Sequence, residues 1–386
     1  MIRTLLLAGA STLLLTSAVG AADLGGTCCA DLEERIAELE ATTARKGNRK
    51  VTLQIYGQVN AGLLYVDTDG YSDTKVINNG NDESFVGFAG RAAVTTDIKA
   101  GYVIEFDLHQ LGLLDTGASS FEPRVRQSYV YLSSDTLGSL GVGRQAQATQ
   151  DFDKITTANT AVAAKPLSLG AISDYYLTGV DVPFDGHYRD VIRYQTPTLQ
   201  GFSLSASWGP SKDATSSDGN GHTWDVALKY SGEFSGFKLA GGAGYRQDTD
   251  LEINALNVIS IAVPTGDVNT ILAAASVMHT GTGIFLTGNY ANQDWQDLNF
   301  RLKAWQLTGG VEQKFFSLGK TTLFGEYGRL TIDPTLGSSV DVNLYGLGVV
   351  QSIDAAGMDL YLAGRQYDLP VISDIKTITA GARVRF

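Results

Sequence analysis

The sequence predicts an all-β fold, a 16-stranded antiparallel transmembrane β-barrel with a short N-terminal periplasmic helix. Three observations carry this expectation. Apolar and polar residues alternate with period two through most of 51–386, in segments of about ten residues, the length a tilted strand needs to cross a bilayer. Short glycine-bearing turns alternate with longer polar loops along the same stretch. Glycine supplies 44 of the 386 residues, an unfavourable composition for helices, since each interior glycine costs roughly 1 kcal/mol there.

The chain opens with a targeting segment over 1–22. Met1, Ile2 and Arg3 form a short basic start, 4–18 is apolar and rich in leucine, and Val19-Gly20-Ala21-Ala22 supplies the small residues a signal peptidase needs after Ala21 or Ala22. No later window approaches the ~18 apolar residues of a spanning helix. The mature chain is therefore expected to leave the cytoplasm without anchoring in the inner membrane.

Residues 23–50 form a periplasmic leader. Leu32, Ile36 and Leu39 recur at four-then-three spacing within 31–43, the step of a coiled coil, among Glu33, Glu34, Arg35 and Glu38. So short a helix is marginal alone in water. It is expected either to bundle with copies of itself or to lie on another surface. Cys28 and Cys29 precede it, in an oxidising compartment. Adjacent Cα atoms sit ~3.8 Å apart, too close for an unstrained bridge. An intermolecular disulfide between bundled leaders is one expectation, and free or capped thiols the other. A basic linker, 45–50, leads into the strands.

From residue 51 the period is two. Val51, Leu53, Ile55, Val59, Ala61, Leu63 and Tyr65 fall on one face and Thr52, Gln54, Tyr56, Gln58 and Asn60 on the other. Phe202, Leu204, Ala206 and Trp208 alternate with serines. Trp224, Val226, Leu228 and Tyr230 alternate with Asp225, Ala227 and Lys229. Ile378, Ala380, Ala382, Val384 and Phe386 alternate with Thr377, Thr379, Gly381, Arg383 and Arg385. Short turns are expected near 97–101, 135–138, 198–201, 235–236, 280–283, 317–320 and 355–357. Long loops are expected near 67–82, 113–123, 146–187, 211–222, 249–267, 296–301, 334–339 and 370–374. This two-sided arrangement is that of an outer-membrane barrel, closed because lipid tolerates no unpaired sheet edge. Trp208, Tyr230, Tyr245, Tyr290 and Tyr327, near strand ends, are candidates for the aromatic girdles.

Several segments resemble Gram-negative general porins. Arg126-Gln127-Ser128-Tyr129-Val130-Tyr131-Leu132 and Leu137-Gly138-Ser139-Leu140-Gly141-Val142-Gly143-Arg144-Gln145 resemble the strand pair entering that family's constriction loop. Val191-Ile192-Arg193-Tyr194-Gln195-Thr196-Pro197 and Gly201-Phe202-Ser203-Leu204-Ser205-Ala206 resemble the pair leaving it. Gly381-Ala382-Arg383-Val384-Arg385-Phe386 is similar to the terminal strand, ending in an aromatic residue, and the leader is similar to that of α-proteobacterial members. The resemblance implies trimers of 16-stranded barrels, each with an aqueous pore and its third long loop folded inside. The implied partners are outer-membrane lipid, lipopolysaccharide, and small hydrophilic solutes and ions that diffuse passively.

Function then rests on charge at the constriction, taken as the loop 146–187. Its acidic residues are Asp151, Asp153, Asp174, Asp181 and Asp185, set against Lys154 and Lys165. By lumen-facing parity Arg124, Arg126, Arg189 and Arg193 flank it, and opposed charges across a narrow gap sort ions. By the resemblance, Arg126 and Arg189 fall at or near wall arginines, and Glu105 at a lumen position. Gln58 and Phe85 occupy positions where enterobacterial members carry a lysine and an arginine, so half of that basic cluster is replaced. Arg144 has the opposite parity and faces outward. The resemblance places it at the trimer interface, with Asp115 or Glu122 of a neighbour's second loop as partner.

Other chemistry finds little support. Asp67-Thr68-Asp69-Gly70 lacks the later glutamate of a calcium loop and reads as a turn. His109, His187, His222 and His279 are scattered without zinc spacing. No GxSxG or phosphate-binding glycine loop is present, so neither an enzyme nor a cofactor is expected. The formal net charge of −12 disfavours nucleic acid. The alternative reading is a non-channel β-barrel adhesin or a secreted β-sandwich interaction protein.

Overall fold

The computed structural model describes residues 51–108, 124–165, 186–210, 221–251, 266–296, 299–334, 337–370 and 374–386. The targeting segment, the leader with its helix, Cys28, Cys29, Asp115, Glu122, Asp174, Asp181 and Asp185 lie outside them.

The described residues form seventeen strands. They are β1 (Gln54–Thr68), β2 (Tyr71–Asn78), β3 (Phe85–Ala93), β4 (Ile98–Asp107), β5 (Arg124–Ser134), β6 (Gly138–Ala146), β7 (Tyr188–Gln195), β8 (Phe202–Pro210) and β9 (His222–Phe234). Then come β10 (Phe237–Leu251), β11 (Gly266–His279), β12 (Ile284–Trp295), β13 (Phe300–Phe316), β14 (Gly319–Asp333), β15 (Val340–Ile353), β16 (Met358–Asp368) and β17 (Ile375–Arg385). β17 returns to pair with β1, from Gln58↔Arg385 to Asp67↔Lys376, and closes the barrel. β2 and β3 are two halves of one barrel strand. β1 pairs with β2 through Ala61↔Asn78 and with β3 from Gln58↔Phe85 onward. The barrel therefore has 16 strands, one of them interrupted by an excursion at 79–84.

Lipid on one side and water on the other explain the alternation. Outward positions such as Val130, Leu204, Leu286, Leu307, Leu347 and Ile378 are exposed apolar side chains. Polar side chains take inward positions, among them Asp225, Arg246, Thr270, Thr308, Glu326 and Thr379. Aromatic rings gather at both ends of the outer wall. Trp224 with Tyr245 (5.2 Å) and Trp305, Tyr327 and Tyr345 (5.2 and 5.0 Å) lie toward the long-loop side, and Phe202 with Tyr230 (4.6 Å) toward the short turns.

The short turns use residues that tolerate positive φ. Gln200–Gly201 (φ 50° and 89°) and Ser235–Gly236 (φ 49° and 79°) take the mirror-image turn whose twist suits a hairpin. Two sequence expectations need correction. The first connection is not a long loop over 67–82, because the chain reverses at Asp69–Gly70 and Tyr71–Asn78 pair with β1. The first five residues of β2, Tyr71 to Lys75, include four polar ones in succession and show no alternation. The next turn lies at 94–97 rather than 97–101, since β4 begins at Ile98.

Candidate functional site

Residues 147–165 leave the end of β6 and run inside the barrel. Gln147 Nε2 donates to Thr223 Oγ1 (2.8 Å), and the Thr149 N–H and hydroxyl donate to Asp225 Oδ2 (2.6 and 2.8 Å). Asp225 also accepts from the Ser207 hydroxyl. Phe152 and Ile155 are buried against β10, where an added Cβ at Gly242 or Gly244 would meet their side chains at 3.0–3.2 Å. Glycine at both positions lets the loop lie directly on the wall. Farther on, the Thr157 N–H donates to Ser276 Oγ (2.9 Å), and the Asn159 N–H to Glu312 Oε2 (2.9 Å). Asn159 Nδ2 donates to Asp359 Oδ1 (2.9 Å). Val162, Ala163 and Ala164 pack with Met278, Phe285, Phe324 and Tyr361. The segment thus runs along the inner wall from β9 to β16.

The excursion at 79–84 meets it there. Asn79 Nδ2 donates to the Val162 carbonyl (2.8 Å) and Asn81 Nδ2 to the Ala163 carbonyl (3.2 Å). Asp82 joins Lys154 of the inner loop (3.4 Å) and Arg383 of β17. Burial pushes the Asp82 carboxyl up, but Lys154 and Arg383 outweigh it and hold the group well below the usual carboxylate range. Burial likewise raises the Asp151 carboxyl, and Lys154, Lys229 and Arg126 bring it down to about 2. Lys154, also 3.3 Å from Asp151, is held above the ordinary lysine range by Asp151 and Asp82 in spite of burial.

Arg126 faces the lumen because of a β-bulge. Glu105 pairs with Gln127 and Phe106 with Val125, so Arg126 is the extra residue and turns inward although Val130 and Leu132 on its parity face out. Its guanidinium lies against Phe85 (4.9 Å) and Tyr188 (4.7 Å), donates to Tyr188 Oη (2.6 Å), and sits 3.8 Å from Glu105 and 3.9 Å from Glu83. Tyr56 Oη donates to Glu105 (2.7 Å). Arg193 donates to the Ala146 carbonyl (3.0 Å) and Gln195 Oε1 (3.1 Å), both neutral acceptors.

The predicted residues therefore separate into groups. Arg126, Glu105 and Asp151 share one electrostatic neighbourhood, and Arg193 acts on it from β7. Asp153 pairs with Lys165 within the inner loop (2.6 Å). Arg189 belongs to another cluster, with Arg246 and Asp248. Arg124 is exposed at the first position of β5, opposite Asp107. Arg144 faces outward, its Nε on the Val125 carbonyl (3.0 Å) and its cross-strand neighbour Asp190.

Sequence reasoning missed the opposite wall. Arg365 pairs with Glu326 (2.6 Å), and Arg383 and Arg385 with Asp359 (2.6 and 3.0 Å). For Arg383 and Arg385, parity with Thr377 and Thr379 was the available signal. What could not be read was that 146–165 reaches β16.

Charged walls facing a pinned inner segment inside a closed barrel are the makings of a channel. The family model for Gram-negative porins matches residues 9–369. The chain belongs to the Gram-negative porin family. Solved outer-membrane proteins share the fold at low identity. The anion-selective porin of Comamonas acidovorans aligns with a TM-score of 0.63 at 16% identity, covering 87% of this chain and 100% of that one. A loop L8 deletion mutant of OmpT from Vibrio cholerae aligns at 0.60 and 17%, covering 87% and 100%. The trimer form of in-vitro folded OmpT aligns at 0.59 and 15%, covering 87% and 99%. Comparison with curated sequences gives no match. This porin is an outer-membrane channel protein.

Proposed function

We propose that this porin is a general diffusion porin of the α-proteobacterial type, working as a homotrimer, with its constriction formed by the inner segment 147–165. The observation that carries this reading is the run of hydrogen bonds from Thr149–Asp225 on β9 to Asn159–Asp359 on β16, which holds a loop inside the barrel along half of its wall. Arg126, Arg193, Glu105, Asp151 and Asp153 shape the field there, and opposed charges in a narrow, low-dielectric passage bias which ions pass. The reading gives no residue a catalytic role. The trimer form of the similar OmpT and the outward polar pair Arg144 and Asp190 support assembly in threes.

On the outer wall, above Trp305, Tyr327 and Tyr345, lies a lattice of ion pairs. It joins Arg301 to Asp294 (3.1 Å), Lys303 to Asp333 (3.9 Å) and Arg329 to Asp341 (3.5 Å), at the height where lipopolysaccharide headgroups would lie.

The test is conductance in planar bilayers. Purified protein is expected to give stepwise currents that close in groups of three, with a reversal potential reporting the charge of the constriction. Protein correctly folded by heat-modifiability yet electrically silent would favour the adhesin reading.

A further inference from the structure

We infer that the excursion 79–84 is a clamp that sets the width of the aperture, with Asp82 as its positioning residue; this rests on the constriction reading above. Two residues of β1, Val59 and Asn60, face six residues of the neighbouring strand, 79–84, and the surplus chain is pushed into the lumen rather than out to lipid. The excursion is built and held by named side chains. Gln58 Nε2 donates to the carbonyls of Asp82 (3.2 Å) and Glu83 (2.8 Å), and Asn60 Nδ2 to that of Asp82 (2.8 Å). Ser84 donates to Asn78 Oδ1 (2.6 Å) and accepts from the Asn60 N–H (2.9 Å).

From this base the excursion reaches in two directions. Asp82 ties the wall, through Arg383, to the inner loop, through Lys154, and Asn79 and Asn81 hold the loop's backbone at Val162 and Ala163. Glu83 approaches Arg126 on the far side of the break. Gln58 and Phe85, which stand where related channels were expected to carry cations, have other work here. Gln58 holds the excursion's carbonyls and Phe85 covers the guanidinium of Arg126. Losing two basic residues from the wall thus coincides with gaining a second inward element, one that carries an anion to the inner loop's lysine. Asp82 is only 15% exposed at its side chain, and its two cationic partners belong to different elements, so removing its charge releases the loop from the wall at one point.

The experiment compares wild type, Asp82→Asn, Lys154→Met and the double variant in planar bilayers, with neutral polymers of graded size as probes. Each single substitution is expected to raise single-channel conductance about twofold and admit larger polymers, because the loop rim retreats and the aperture widens. The double variant is expected to match the singles rather than add to them, since both cut one link. Asp82→Asn alone should also shift the reversal potential toward anions. If Asp82→Asn fails to assemble, Asn79→Ala with Asn81→Ala, which leaves every charge in place, is expected to give the same widening. Wild-type conductance and size cut-off in the folded variants would overturn the clamp while leaving the channel reading intact. A wild type without current steps would instead remove the channel reading on which the clamp depends.

Discussion

Arg126 and Arg193 face the same lumen but are held differently, and this separates the outcomes of changing them. Arg126 lies between Phe85 and Tyr188 with Glu83 and Glu105 close by, whereas Arg193 is held by neutral oxygens. Arg193→Ala removes a positive charge from the passage and is expected to move the reversal potential toward cations while the barrel's melting temperature stays near the wild-type value. Arg126→Ala does the same and also unstacks two rings, each worth roughly 1 kcal/mol against a guanidinium, so melting should fall as well. Arg126→Lys keeps the charge but loses the planar fork, so it should restore selectivity without restoring stability. Unchanged reversal potentials in both alanine variants would remove these arginines from the constriction.

At the scale of elements, the inner loop is tied by ion pairs whose pH range follows from their surroundings. Asp151 is held down to about 2 by Lys154, Lys229 and Arg126, and Asp82 lower still by Lys154 and Arg383, both against the opposing effect of burial. A carboxylate with a depressed folded pKa stabilises fully above the unfolded value, about 4, and loses that contribution as pH falls through the folded value. His187, at the return from the loop, is pushed down to about 3 by burial and by Arg246 and Arg189, and so stays neutral above about pH 4. The loop should therefore keep its place through mild acid. Single-channel conductance is expected to be flat from neutral pH to about pH 4 and to change only below about pH 3. A step near pH 6 would contradict this arrangement.

These elements also show what the sequence could convey. Alternation in Leu204–Trp208 or Ile378–Val384 was legible because one face meets lipid and the other water. Tyr71–Asn78 was not, because its first five residues, Tyr71 to Lys75, include four polar ones in succession and show no alternation. Arg126 faces inward as expected, but through one extra residue in β5, since Val130 and Leu132 on its own parity face out. Arg383 was on the correct face, with Thr377 and Thr379, but the meeting of this wall with 147–165 depends on contacts some 200 residues apart.

For the whole molecule, a closed ladder of antiparallel strands leaves no edge at which detergent can begin to peel the sheet. Purified protein is expected to be β-rich by circular dichroism and to run as a heat-modifiable oligomer until boiled. Arg144 bears on how that oligomer holds. It stands on the outer wall among Leu140, Val142 and Ile192, all exposed and apolar, and a guanidinium facing lipid near the midplane costs roughly 2–4 kcal/mol. Its own protomer offers the Val125 carbonyl and the cross-strand Asp190, which leaves part of the guanidinium's donor fork for another chain. A neighbouring protomer covering this patch would replace lipid with polar partners. Arg144→Ala is therefore expected to lower the temperature at which the oligomer dissociates in detergent, while conductance per channel stays near wild type because the side chain does not enter the lumen. Were the variant oligomer to survive to the wild-type temperature, the face of β6 and β7 would be a lipid-facing wall, and the contact between protomers would have to lie elsewhere on the barrel.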